Sequence, residues 1–523
     1  MDIFKIFRKS AQVVIFNIFE RLYDYQQEVV KITSVNKMGI ICMPTGVGKT
    51  FCQAAIIADD ILKHRKEFRM YVVNAPRIVL TYQLMKEVYG FLVKEGIEAR
   101  YMFVHSGGKI DEIELEVIRE NALIEIPYSQ IGSGTGVPGI LDMMKKSKKQ
   151  DLPVIFFSTY NSAERIEMAR ANFTKQLFSI IMNDEAHYLV QEQFHDILNT
   201  LKSDRCYFFT ATTINTPSDT GRGMNNKESY GEILYNMTPR EAIERGKMVR
   251  PRLHFVTTDG VYNRDDFERS LNRIIKNAFE QHAEKLTKTE PKILVSTKGT
   301  QDIINFLKSP EYTQLRQSGV DIYAVASNPK VGNNINGVAV RRQEFLKRLK
   351  EDGTNPTKKL IVLHYDILAE GVDVSGFSGI LPLRTLIKSK FLQTYGRSAR
   401  PDMEDRIKID LGELSPRDLE LLNKPYAYII IPIVYNGNED DVANVTQLIR
   451  ELRSFGYKPS ELIVSTDRTH GTPEMDEPEG ANIVERRIPI LGRTIDDLYA
   501  QFEAEELAKL DPITLLDKLY PNL

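Results

Sequence analysis

The chain has 523 residues, 42% of them hydrophobic, and 69 Lys and Arg against 71 Asp and Glu give it a net charge of −2. That size excludes a small stapled scaffold and calls for two to four domains with substantial cores. Three cysteines, Cys42, Cys52 and Cys206, stand without paired spacing, which argues against a disulfide framework or a zinc site and fits a reducing compartment.

The first apolar stretch, Val13 to Phe19, is broken by Asn17 and closed by Glu20, so it is a poor secretory signal and too short to span a membrane. Residues 1–20 are expected to form an amphipathic lead-in helix, with a partner-binding arm as the second option. Next, Gly39 to Cys42 reads as a strand running into Met43-Pro44-Thr45-Gly46-Val47-Gly48-Lys49-Thr50. Glycines at this spacing let successive backbone N–H groups turn into one concavity that cradles phosphate oxygens. Lys49 then reaches the β- and γ-phosphates, and Thr50 holds Mg2+ through its hydroxyl. Met43 stands where the pattern usually has its first glycine.

Further strand-like runs follow at Met70–Asn74, Tyr101–Val104, Val154–Ser158, Ser179–Met182 and Cys206–Thr210. The run at Ser179 leads into Asp184-Glu185-Ala186-His187. A strand tip holds such a carboxylate pair rigidly, and in a phosphate-loop NTPase the first completes the Mg2+ shell while the second polarises the attacking water. Asp184 is the expected metal ligand and Glu185 the expected catalytic carboxylate. Between these runs, residues 120–139 read as an insertion-like glycine-rich loop, in which Tyr128 offers a ring for stacking on a base.

Asn236 to Pro251 reads as a connector: a short helix with Thr238 as cap, Pro239 in its first position and Gly246 as stop. A hinge at each end would let the flanking domains close. A second set of runs then appears at Lys292–Ser296, Ile322–Ala326, Leu360–His364, Gly379–Leu383 and Tyr426–Val434. Short β-rich runs alternating with amphipathic stretches predict parallel sheets covered by helices on both faces, here two α/β domains in tandem. Residues 327–338 read as a second insertion-like loop. Ile367 to Val374 places Asp373 in a βα turn, and Gln393 to Arg400 puts Arg397 and Arg400 on one face if the segment is helical. Planar guanidiniums suit phosphate oxygens, and an arginine brought to a γ-phosphate held by another domain stabilises the transition state only when the cleft closes. Beyond Val434 the expected elements are a helix at 442–455, a polar linker at 468–480 and an acidic helix at 495–510. From Asn436 onward, 18 Asp and Glu oppose 9 Lys and Arg, a net of −9 that leaves the first 435 residues at +7. The basic portion allows a polyanion partner, and the acidic tail argues against its being the main clamp.

In order along the chain, eight segments resemble those of superfamily 2 helicases and translocases. They are Tyr25-Gln26, Met43–Thr50, Asn74–Arg77, the DEAH-type Asp184–His187, Thr210-Ala211-Thr212, Ile293–Thr297, Ile367–Val374 and Gln393–Arg400. The chain is most similar to the motor subunits of type I restriction enzymes and to phage recombination or branch-migration helicases. The resemblance implies two tandem RecA-like doubly wound parallel-sheet domains, at residues 21–236 and 253–435. A linker would span 237–252, after the lead-in helix of 1–20, and a small, mainly helical acidic extension would span 436–523. It implies ATP and Mg2+ as cofactors. Gln26 would read adenine, and Thr45, Gly46, Val47, Gly48, Lys49 and Thr50 would hold phosphates, with Asp373 near the ribose. Gln393, Arg397 and Arg400 would face the γ-phosphate. Arg77, Ser158, Thr159, Tyr160, Thr210 and Thr212 become candidates for contact with, or coupling to, nucleic acid. The implied activity is ATP-dependent translocation on, and unwinding or remodelling of, single-stranded, duplex or branched DNA in recombination, replication or repair. The alternatives are a duplex translocase without net unwinding in a restriction or defence complex, and an RNA helicase. The expected setting is the cytoplasm of a bacterial or phage-infected cell, with a protein partner held by the C-terminal extension or the N-terminal helix.

Overall fold

The computed structural model describes residues 18–507, apart from 106–130, 135, 217–220, 259–266, 284–288, 327, 366–375, 384–393, 435–438, 455–456, 458–462, 467–486 and 489–492. The chain forms two units and passes from one to the other between Asn236 and Met237. The lead-in helix expected at residues 1–20 falls largely outside the described residues, as do Tyr128, Asp373 and Gln393.

The first unit is built on β1 (Met38–Cys42), β2 (Met70–Ala75), β3 (Arg100–Val104), β4 (Ile131–Gly134), β5 (Val154–Thr159), β6 (Ile180–Asn183), β7 (Cys206–Thr210) and β8 (Glu232–Asn236). Among the described residues they form one parallel sheet in the order β4-β3-β5-β2-β6-β7-β1-β8. Parallel strands are covered on both faces and so read as continuous apolar runs. β2 and β5 are buried along their whole length. Helices α1 (Asp24–Val35), α2 (Lys49–Lys63) and α3 (Ile78–Lys94) follow the same logic. The far end of α2 is tied to the sheet through Asp60, whose carboxylate receives Arg69 Nε at 3.0 Å and the Tyr71 hydroxyl at 2.7 Å, and pairs with Arg205.

Two strands of this sheet run through sequence with little apolar signal. β4 occupies part of the expected loop at 120–139 and is held by pairing with β3, and a helix follows at Val137–Lys149. β8 pairs with β1, where Gly39 makes room: a Cβ there would strike the Leu234 side chain.

The second unit contains β9 (Arg250–Thr258), β10 (Lys292–Ser296), β11 (Val320–Val325), β12 (Asn333–Ile335), β13 (Val338–Ala339), β14 (Lys359–His364), β15 (Gly379–Pro382), β16 (Tyr426–Val434) and β17 (Ile463–Thr466). Their order is β13-β12-β11-β14-β10-β15-β16-β9-β17, parallel except for the antiparallel β11-β12-β13 edge. That edge is the region expected as a second loop. Asn336 and Gly337, with φ of 53° and 85°, form the left-handed two-residue turn of a hairpin.

The connector helix spans Pro239–Glu244, with the Thr238 hydroxyl accepting from Glu241 N at 3.2 Å and Gly246 at φ 66° after its end. The residues after it are tied down. Val249 N donates to Ala399 O at 2.8 Å, Lys247 Nζ meets Asp410 at 2.5 Å, and Arg250 already belongs to β9. The extension contributes β17, which pairs with β9, besides helices at Glu439–Ser454 and Ile495–Leu507. Among the described residues no helix is long and apolar enough to cross a membrane.

Candidate nucleotide-binding site

β6, β7 and β1 lie side by side in the first sheet, and their C-terminal ends carry Asp184, Thr210 and the loop at 43–50. Open parallel sheets bind ligands at that edge. The loop leaves β1 through Met43, whose N–H donates to Thr210 O at 2.9 Å and whose side chain is wholly buried, so methionine here extends the ladder and fills the core. Gly46 and Gly48 have φ of 90° and 93°, the left-handed conformation that lets consecutive N–H groups converge. α2 begins at Lys49, so its free N–H groups and positive end face the same place. Lys49 is buried, with Nζ donating to Met43 O at 3.1 Å.

Gln26 is buried beside the loop with both ends of its amide engaged. Oε1 accepts from Tyr23 N at 3.1 Å, and Nε2 donates to Gly48 O at 3.4 Å. A Cβ on Gly48 would come within 2.5 Å of that Nε2 and push the amide aside, so glycine at this φ also leaves Gln26 its place.

Asp184 stands buried at the tip of β6. Its backbone is fixed by Asn74 O, which accepts Asp184 N at 2.8 Å, and by the Tyr160 hydroxyl, which donates to Asp184 O at 2.6 Å. Gln53 Nε2 donates to Oδ1 at 2.8 Å. Burial, reinforced by the neighbouring Glu185 charge, pushes the Asp184 pKa up from 3.8 to about 7, against the pull of Lys49. A carboxylate so short of positive charge fits a Mg2+ ligand. Thr50, on the first turn of α2, would supply the hydroxyl that such an ion takes alongside phosphate oxygens. When bound, the ion would neutralise charge on the phosphates. Gln53 was not anticipated from sequence, although its place one turn after Lys49 on α2 is a readable signal.

Glu185 has φ 49° and ψ 47°, a left-handed conformation that costs a non-glycine residue about 1–2 kcal/mol. The strained turn carries the chain from Asp184 into the helical turn Ala186–Val190. Nδ1 of His187 lies 3.4 Å from Glu185 Oε2 and 3.2 Å from Thr210 Oγ1. Thr210 spends its own proton on Thr212 O at 2.7 Å, so the histidine carries its hydrogen on Nδ1 and donates. Burial pushes the His187 pKa down despite the Glu185 charge, which keeps the ring neutral. The imidazole thereby ties the turn after β6 to Thr210 of β7, with the Glu185 carboxylate close by.

The expected nucleic-acid residues divide. Arg77 is exposed at the start of α3. Ser158, Thr159 and Tyr160 are not surface contacts: all three are buried, Ser158 donating to Thr159 O, Thr159 meeting the Ser162 hydroxyl at 3.0 Å and Tyr160 bracing Asp184. Thr210 and Thr212 are buried as well: Thr210 Oγ1 meets His187 and donates to Thr212 O.

In the second unit, residues 394–398 are helical and Arg400 lies beyond their end, so the two arginines do not share one helical face. Arg397 is buried and Arg400 half-buried. The Tyr395 hydroxyl lies 3.2 Å from that of Tyr457, and Tyr499 donates to Tyr457 O at 3.0 Å, so the C-terminal extension packs on this segment.

Residues 19–215 match the family described as Type III restriction enzyme, res subunit. No curated protein matches the chain in sequence. Among solved structures, the ATP-dependent Type ISP restriction-modification enzyme LlaBIII bound to DNA is similar at 18% identity and a TM-score of 0.61, covering 87% of this chain and 32% of that one. A nuclease-deletion mutant of the Type ISP enzyme LlaGI with a DNA substrate mimic gives 18%, 0.48, 85% and 30%. S. cerevisiae Dbp5 bound to RNA and ADP BeF3 gives 15%, 0.48, 86% and 90%. The chain therefore spans less than a third of the length of the restriction enzymes it resembles. Its fold is that of two tandem RecA-like domains, its first unit matches the Res-subunit family, and the chain resembles the superfamily 2 helicases and translocases of the restriction-motor kind.

Proposed function

We propose that the chain is an ATP-driven DNA motor, coupling ATP hydrolysis with Mg2+ to movement along DNA and to its unwinding or remodelling. The observation that carries this reading is the convergence of Lys49, Gln53, Asp184, Glu185 and the His187–Thr210 link at one edge of a parallel sheet. Lys49 and the loop N–H groups bind phosphate, Glu185 orients water, and the imidazole passes the state of the site to β7 and the surface beyond. Arg397, Arg400 and Gln393 are assigned to the γ-phosphate, Asp373 to the ribose side, and Arg77 to the nucleic-acid backbone. Backbone-directed contacts give sequence-tolerant tracking.

Lys49→Ala is expected to abolish turnover while leaving the thermal unfolding midpoint unchanged, and full ATPase activity in that variant would refute the assignment. ATPase rates with single-stranded, duplex and branched DNA and with RNA identify the polymer: stimulation by RNA alone would replace DNA in this reading. A duplex translocase that moves without net unwinding is the second reading, favoured by the likeness to a DNA-bound Type ISP enzyme. Displacement of a third strand from a triplex without separation of a matched duplex decides for it.

A further inference from the structure

We propose that Lys424 is a positioning residue for Arg400, holding the backbone carbonyl from which that arginine is presented. The inference rests on the assignment of Arg400 to phosphate. Two consecutive carbonyls just past the 394–398 helical turn are each captured from elsewhere in the second unit: Ala399 O by Val249 N at 2.8 Å, and Arg400 O by Lys424 Nζ at 2.5 Å. Lys424 is itself fixed. Asp405 accepts its N–H at 3.0 Å on one oxygen and that of Asn423 at 2.9 Å on the other. Asn423 Nδ2 reaches Asp402 Oδ1 at 3.3 Å and Glu404 Oε2 at 3.2 Å, while Asp402 caps the helix Met403–Asp410 through Glu404 N at 2.9 Å. Residues 400–405 and 423–424 thus form one clamp, beside a small recess lined by Val249, Pro401 and Lys424.

Lys424 is buried, and among the described residues its Nζ donates to one acceptor, Arg400 O. Burial pushes its pKa down to about 7, with Arg400 and Lys292 pushing the same way and Asp402 and Asp405 opposing. A lysine serving only to fill space would be better replaced by methionine, because a buried charge loses hydration that one hydrogen bond does not return. What the ammonium adds is a fixed Arg400 carbonyl, and the direction in which that arginine leaves the backbone follows from it.

The test is ATP turnover by the full chain with its stimulating DNA. Lys424→Met is expected to lower kcat about 10- to 100-fold, as misplacement of a catalytic group does, with KM for ATP within about threefold. The unfolding midpoint is expected to change little, because losing the buried charge offsets the Arg400 carbonyl left without its donor. Lys424→Gln, of similar length, is read in the same way should the methionine variant fail to fold. Because Lys424 acts through Arg400, the double variant Lys424→Met with Arg400→Ala should be no slower than Arg400→Ala alone. Wild-type kcat in Lys424→Met alongside an inactive Arg400→Ala overturns this role alone, and so do losses that add in the double variant. Full turnover in Arg400→Ala overturns the arginine assignment and this role with it.

Discussion

At the scale of single residues, Asp184 is held by three groups from different elements: Asn74 O, the Tyr160 hydroxyl and the Gln53 amide. Lys49, Thr50, Asp184 and Glu185 announce themselves by type and spacing beside a strand. Gln53, Tyr160 and Lys424 do not, because what defines each is a partner 131, 24 and 24 positions away, and glutamine, tyrosine and lysine are ordinary on a helix, a strand end or a turn. Tyr160 is a nucleic-acid candidate by position alone, since a strand tip is where surface contacts arise; the structure turns its ring inward, with the hydroxyl donating to Asp184 O. Gln53 makes a sharp prediction. Its amide orients the carboxylate, so Gln53→Ala should raise the Mg2+ concentration for half-maximal ATPase activity by about 10- to 100-fold, the usual cost of removing a group that orients a metal ligand. Unchanged Mg2+ dependence in a titration at saturating ATP would show that Asp184 needs no such support.

At the scale of elements, strands with continuous apolar runs were readable nearly to the residue, since both faces of a parallel sheet are buried. β9 was hidden because it begins Arg250-Pro251-Arg252 directly after the connector helix, and β4 because glycines and serine carry no pattern at all. Both strands are placed by their neighbours. The link between β6 and β7 allows an element-level prediction: Thr210→Val removes the oxygen that accepts from His187 and leaves a buried donor without that partner. Stimulation of the ATPase by DNA should fall more than the basal rate, and equal losses in both would show that the threonine serves only the fold. The Asp60 cluster anchors the opposite end of α2. Burial alone raises the Asp60 pKa, but the Tyr71 hydroxyl, Arg205 and Arg69 outweigh it and hold it below the ordinary 3.8. As pH falls, the unfolded chain therefore takes up the proton first. The contribution is complete above the unfolded value and is lost as pH drops through the folded one. Asp60→Asn should cost about 3–5 kcal/mol near neutrality, since two guanidiniums lose their partner. Urea unfolding at pH 7 and below pH 4 should show the difference from wild type shrinking with acid.

For the whole molecule, two tandem parallel sheets could be read from the spacing of apolar runs, and the order of the motifs along them suggested the class of motor. Beyond Val434 the two helices were readable from their pattern, but β17 was not, because charge and composition say nothing of which strand a distant segment will pair with. β17 is the instance with practical weight. β9 is nine residues long, carries the buried Leu253 and Phe255, and is flanked by β16 on one side and β17 on the other. A chain shortened at residue 435, where the motor pattern ends in sequence, would leave one side of β9 as an open row of N–H and C=O groups, a template for pairing with a second chain. Such a truncation should self-associate in light scattering, while one that keeps residues through Thr466 should not. The acidic tail is in that sense a cover for a sticky edge: β17 occupies the place another copy would take.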